Sequence, residues 1–225
     1  MNGKIIVIEG LDGTGKSTQF ELLKEKLENF RFITFPNYQS PSGEIITQYL
    51  SGQFNESDES ISAYSASSFY AVDRYTSFKN DWEKDYLSGV NIISARYTTS
   101  NAVYQTTKLP ENMWEEYCNW LYDFEYKRLG IPRPDAVIFL DMPVEVSQKL
   151  LSARYNNDEQ KKDIHESNVD YLKKCREAAL YVSRCDKNES WTLIDCCKNG
   201  ELRSIEDINS EIVSIINQII KDGCM

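Results

Sequence analysis

A chain of 225 residues with 41% hydrophobic and 27% charged side chains has the balance of a globular protein with one sizeable core, which excludes a disordered or low-complexity polymer. Its net charge of -10 excludes general attraction to polyanions such as DNA, so any phosphate chemistry must come from a locally basic site acting on a small molecule. No run approaches the roughly 18 apolar residues of a membrane helix, and the expectation is a single domain over residues 1–225 in the reducing cytosol, with Cys118, Cys175, Cys185, Cys196, Cys197 and Cys224 as ordinary free cysteines.

Taken in chain order, Ile5-Ile6-Val7-Ile8 is a short apolar run of the kind that forms a buried strand. A helical stretch follows, with Phe20, Leu23, Leu27 and Phe30 on one face. Phe32-Ile33-Thr34-Phe35 predicts a second strand, Ile61 to Tyr86 a long helix and Asn91-Ile92-Ile93-Ser94 a third strand. Met113 to Leu129 predicts another helix, and Ala136 to Leu140 a fourth strand. The polar, Asn-rich segment Ser152 to Lys162 suits a mobile lid, placed at about residues 152–166. Asp163 to Arg184 then reads as a helix, Trp191-Thr192-Leu193-Ile194 as a fifth strand ending at Cys196-Cys197, and Ile208, Ile212, Ile215 and Ile219 as the apolar face of a last helix. Alternating strands and helices imply an α/β fold with a five-stranded parallel sheet flanked by helices, and ligands at the carboxyl ends of the strands.

The segment after the first strand, Gly10-Leu11-Asp12-Gly13-Thr14-Gly15-Lys16-Ser17, matches the phosphate-loop pattern in full and opens a helix, which is the context that motif requires. Glycines let successive backbone N–H groups converge on one anion, the helix amino terminus adds partial positive charge, and Lys16 reaches the outer phosphates. Ser17 is the candidate magnesium ligand, and Gly10, Asp12, Gly13, Thr14, Gly15, Lys16, Ser17 and Thr18 are the candidate ATP contacts. A GTPase would need an Asn-Lys-x-Asp segment to read its base, and none is present.

Ile8 to Gln19 closely resembles the opening of thymidylate kinases, and later segments follow in that family's order. They are Phe35-Pro36, Phe69 to Arg74, Arg96-Tyr97 with Asn101, Tyr104 and Gln105, Tyr122 to Tyr126, and Leu129 to Asp135. The resemblance implies a P-loop kinase that passes the γ-phosphate of ATP to dTMP with Mg2+, as a homodimer. It also implies an acceptor site of Asp12, Phe35, Tyr38, Tyr70, Arg74, Arg96, Asn101, Tyr104 and Gln105. Tyr70 offers a face for the base, and Arg74, one helical turn on, a donor to a thymine carbonyl. Asn101 and Gln105 present amides together, Tyr104 crowds the sugar 2′ position, and Asp12 accepts from the 3′-OH. Because the loop positions Gly13 and Thr14 carry no charge, the lid has to supply it, with Arg154 ahead of Lys161 and Lys162. Lys16, Arg96 and Arg154 are then the catalytic set. His165 is read as a surface or capping residue, and Asp163 and Glu166 resemble the acidic start of the family's next helix.

The sequence departs from the family at two places. Ala95 stands where an Asp usually precedes the arginine, and Asn37 and Tyr38 follow Phe35-Pro36 where many members carry Arg. Position 95 is expected to border the phosphate cleft, with Glu9 and Asp141 as substitute carboxylates. Two other functions stay open at this point: a deoxynucleoside kinase, which needs a carboxylate base that Ala95 does not provide, and a catalytically weakened nucleotide-binding relative.

Overall fold

The computed structural model describes residues 2–54, 61–154, 168–185 and 189–222. Five strands form one sheet: β1 (Ile5–Gly10), β2 (Phe30–Thr34), β3 (Asn91–Ala95), β4 (Ala136–Asp141) and β5 (Trp191–Asp195), ordered β2-β3-β1-β4-β5. Every pairing is parallel, with Ile8 opposite both Ala95 and Ile138. The branched residues of β1 are buried on both faces because helices cover both. Alternation then divides the core. Ile6, Ile8, Ile93 and Ile138 pack with Phe20 and Leu23 of α1 (Lys16–Lys26) and with Ile208, Ile212 and Ile216 of α9 (Ile205–Asp222). Ile5, Val7, Ile92 and Val137 pack on the other face with Phe78, Trp82 and Tyr97. Gln19 binds α1 to α9 directly, donating to the Ile205 carbonyl at 3.0 Å and accepting from Asn209 at 3.0 Å.

The helices between the strands are α2 (Pro41–Leu50), α3 (Ala63–Ser77), α4 (Glu83–Leu87), α5 (Thr98–Tyr104), α6 (Trp114–Tyr122), α7 (Val144–Arg154) and α8 (Val169–Cys185). A π-helical turn at Phe78–Trp82 joins α3 to α4, and a second, Asp123–Leu129, extends α6. Two of the long helices expected from sequence, Ile61 to Tyr86 and Met113 to Leu129, thus appear as segmented ones. Helix α2 was not expected, although Ser40 caps it by accepting from Gly43 N–H and Pro41 occupies its first turn, a readable start signal. The short hairpin of β6 (Cys197–Lys198) and β7 (Glu201–Leu202) was also unforeseen.

Ser152 to Arg154, where the expected lid segment begins, are helical, the last turn of α7. Two expectations are corrected. Leu27 and Phe30 lie beyond the end of α1, since Phe30 already pairs with Asn91 in β2, although both still pack against the core. Ala95 does not border the polar cleft. It is 8% exposed and belongs to the apolar cluster of Ile8 and Phe20, because its register opposite Ile8 turns its side chain to the α1 and α9 face.

Candidate active site

The loop after β1 is shaped by its glycines. Gly15 caps α1 at φ 80°, a left-handed conformation, and a side chain on Gly13 (φ 79°) would place Cβ 2.6 Å from the Ser147 carbonyl oxygen. Thr14 is turned inward, its hydroxyl donating to the Leu11 carbonyl at 2.9 Å. A cleft lies over this loop, walled by Asp12, Gly13, Thr14, Gly15, Lys16, Ser17 and Thr18, and on its far side by Leu151, Arg203 and Ile208. Gly10, the remaining expected nucleotide contact, ends β1 and is not on the wall. Lys16 is half-buried, and its pKa is pushed down to about 8, first by burial and then by the neighbouring Arg96 charge, against the pull of Asp12 and Glu9.

A second cavity, about 710 Å3 counting its open mouth, adjoins the first at Asp12, which lines both. Asp12, Phe35, Tyr38, Tyr70, Arg74, Arg96, Asn101, Tyr104 and Gln105, scattered over almost a hundred positions of sequence, all face it. Pro36, Leu50, Tyr97, Ser100 and Tyr171 complete its wall and were not foreseen as contacts. Loops at the carboxyl ends of β1, β2 and β3 deliver Asp12, Phe35, Tyr38 and Arg96, α3 delivers Tyr70 and Arg74, α5 delivers Asn101 and Tyr104, and Gln105 follows at the end of α5. The Phe35-Pro36 peptide is cis, and the Phe35 ring lies 5.9 Å from Tyr97.

Arg96 adopts φ 65°, a left-handed backbone that non-glycine residues rarely take. Its guanidinium donates to Asp12 Oδ1 at 2.5 Å and lies over the Tyr104 ring at 5.0 Å, and Tyr104 O–H donates to the other Asp12 oxygen at 3.3 Å. Burial opposes the Arg96 charge, but Tyr104, Asp12 and Glu9 outweigh it and hold its pKa well above the ordinary value. Glu9 is buried beneath the loop. Its Oε1 accepts from Thr99 Oγ1 at 2.7 Å, Ser100 Oγ at 2.6 Å and Tyr97 N–H at 3.3 Å, while Oε2 is buried with no hydrogen-bond partner among the described residues. Asp141, the other expected substitute carboxylate, accepts from Arg176 of α8 at both its oxygens, at 2.6 and 2.8 Å.

Arg74 does more than face the cavity. Its Nε and Nη2 donate to the two oxygens of Glu125, and Nη1 donates to the Tyr97 carbonyl at 3.3 Å. Glu125 also accepts from Thr98 Oγ1 at 2.9 Å and from Asn101 Nδ2 at 3.3 Å, so the Asn101 amide nitrogen is engaged within the protein. Gln105 Oε1, by contrast, is buried with no donor among the described residues. The role of Glu125 was missed, yet its place was readable. It falls three and four residues after Tyr122 and Leu121 on an inward-facing stripe, where an acid requires a cation. Arg154 ends α7, and its side chain lies outside the described residues, as do Lys161, Lys162, Asp163, His165 and Glu166 of the expected lid.

A parallel α/β sheet with a phosphate loop after its first strand and a second, polar and aromatic cavity beside that loop defines a P-loop phosphotransferase. The thymidylate kinase family model matches residues 8–212. A thymidylate kinase of Plasmodium falciparum is 30% identical over 221 residues, covering 96% of this chain and 91% of the relative. One from Dictyostelium discoideum is 28% identical over 225 residues, covering 97% and 87%. The solved thymidylate kinase of Candida albicans superposes with a TM-score of 0.71 at 24% identity, covering 96% of this chain and 92% of that one, and so shares the fold. The chain belongs to the thymidylate kinase family and, with it, to the ATP-dependent nucleoside monophosphate kinases.

Proposed function

We propose that the chain transfers the γ-phosphate of ATP to dTMP, giving ADP and dTDP, with ATP in the cleft over the phosphate loop and dTMP in the cavity beside Arg96. The observation that carries this reading is that Asp12 lines both spaces, so their ligands meet at one residue. Phe35 and Tyr70 supply aromatic surface for a base, and Gln105 Oε1 suits the N3–H of thymine, because a buried acceptor with no donor among the described residues favours a ligand that brings one. The dTMP phosphate is already anionic, so its attack on the γ-phosphorus needs no strong base. Charge neutralisation and alignment do the work, with Lys16 on the outer phosphates, Arg96 on the shared centre and Arg154 at the end of α7 as a third cation.

Ser17, exposed on the wall of the ATP cleft, offers the hydroxyl oxygen suited to Mg2+ held chiefly by nucleotide phosphates. When bound, that ion supplies further neutralisation of phosphate charge. The deoxynucleoside kinase alternative is not favoured, since the position before Arg96 holds a core alanine where a hydroxyl acceptor would need a carboxylate base. The chain is read as one kinase unit acting in the cytoplasm. Support for that setting is that Cys175, Cys185, Cys196 and Cys197 are reduced thiols among the described residues. Association into a homodimer draws support from exposed apolar side chains on the adjoining helices α2 and α3, namely Ile45, Val72 and Tyr75. A coupled ADP-release assay with dTMP, dUMP, thymidine and the other nucleoside monophosphates tests the reading. It predicts the highest kcat/KM for dTMP, and turnover on thymidine but not on any monophosphate would overturn it.

A further inference from the structure

Two of the segments that line the dTMP cavity meet outside the sheet. One is the loop after β2, which contributes Phe35, Pro36 and Tyr38. The other is α3, which contributes Tyr70 and Arg74. Asp73, next to Arg74 and therefore turned about 100° around the helix, does not line the cavity and is only 1% exposed. Its carboxylate faces the loop. Asn37 N–H donates to Oδ2 at 2.8 Å and Ser42 Oγ donates to Oδ1 at 2.8 Å, with Ser40 Oγ 3.0 Å from the same oxygen. Ser40 is also the cap of α2, accepting from Gly43 N–H at 2.9 Å, and Ser42 Oγ lies 3.0 Å from Thr76 Oγ1 one turn along α3. Gly43 sits so close to the loop that a Cβ there would lie 1.9 Å from the Asn37 carbonyl oxygen. One buried carboxylate thus fixes the backbone on both sides of Tyr38 and the start of α2, whose far end brings Leu50 to the same cavity.

A buried carboxylate held by a backbone N–H and hydroxyls is costly unless those bonds are kept, so the loop is not free to drift from α3. We propose that Asp73 is a positioning residue for the acceptor. Through Asn37 N–H and the Ser40 and Ser42 hydroxyls it sets how deeply Phe35, Pro36 and Tyr38 close over the nucleotide, and it does so without touching either substrate. The inference rests on reading this cavity as the dTMP site.

Asp73→Asn tests it, because the amide keeps the shape but turns an N–H2 group toward either Asn37 N–H or the serine hydroxyls. The expected result is a rise in the KM and calorimetric Kd for dTMP of about tenfold, since a lost bond to a charged group weakens binding on that scale. The KM for ATP and the kcat at saturating dTMP stay within about twofold, a split that general loss of structure does not produce. Ser42→Ala removes one donor, leaves the carboxylate in place and shows the same split in smaller degree, so it carries the test if Asp73→Asn fails to fold. Unchanged dTMP affinity in either folded variant overturns the inference, as does an equal loss for both nucleotides. Failure of the site reading looks different, since the parent protein would then bind no dTMP by calorimetry.

Discussion

Both oxygens of Glu125 hold the guanidinium of Arg74, at 2.7 Å from Nε and 2.6 Å from Nη2, with the two side chains 0% and 2% exposed. Such a pair is expensive to bury and still more expensive to break, because either partner alone is left as an uncompensated charge. Arg74→Ala and Glu125→Ala are each expected to lower stability by about 3–5 kcal/mol. The double replacement Arg74→Ala with Glu125→Ala should cost less than the two single losses together. Denaturant unfolding of the four proteins checks this, and additive single losses would show that the pair is not coupled. Selective loss of dTMP over ATP binding, expected of an arginine that only reads a base, must then be measured where Arg74→Ala is still folded.

Lys16 is expected to report nucleotide binding through its proton. Its pKa in the ligand-free protein is pushed down to about 8, below the unfolded value, so the unfolded chain binds more protons between about pH 8 and about pH 10. Through this group stability rises with pH across that window, and below it the penalty for the charged amine is constant. Phosphate beside Lys16 restores its charge, so ATP binding near pH 8 should take up a fraction of a proton. Calorimetry in buffers of different ionisation enthalpy reads that uptake, which Lys16→Met should abolish. Lys16→Ala should abolish phosphoryl transfer as well, and near-parental turnover would remove Lys16 from the mechanism.

Ala95→Asp is expected to destabilise the fold rather than repair the site. The side chain packs with Ile8 and Phe20, and a carboxylate there loses its hydration. A loss of about 1–3 kcal/mol is the scale for a buried polar group without full compensation. Thermal melts and steady-state kinetics together decide it. A higher kcat with an unchanged Tm would show that the new carboxylate reaches the phosphates and that the core assignment of position 95 does not govern its chemistry.

Much of this arrangement was legible in the sequence. The five strands were marked by branched apolar runs and the phosphate loop by a complete motif, and both are local signals. The nine cavity residues were found through resemblance to the family, since Tyr70 or Gln105 alone carries no pattern. What was not legible depends on contacts distant in sequence. Glu125 lies 51 positions from Arg74, and Asp73 lies 36 from Asn37. The face of Ala95 was misjudged because a strand-end residue lies either toward the cleft or toward the core according to its register, which here sets it opposite Ile8. The capped start of α2 at Ser40 and Pro41 was a local signal left unread.

The most direct measurement of the central claim is to incubate the protein with Mg2+, dTMP and ATP labelled in the γ-phosphate, and to identify the labelled product. The account predicts that label passes to dTDP in equal amount to the ADP formed, and that this transfer is lost in Lys16→Ala. Label appearing only as inorganic phosphate, or passing to thymidine and not to dTMP, would contradict it.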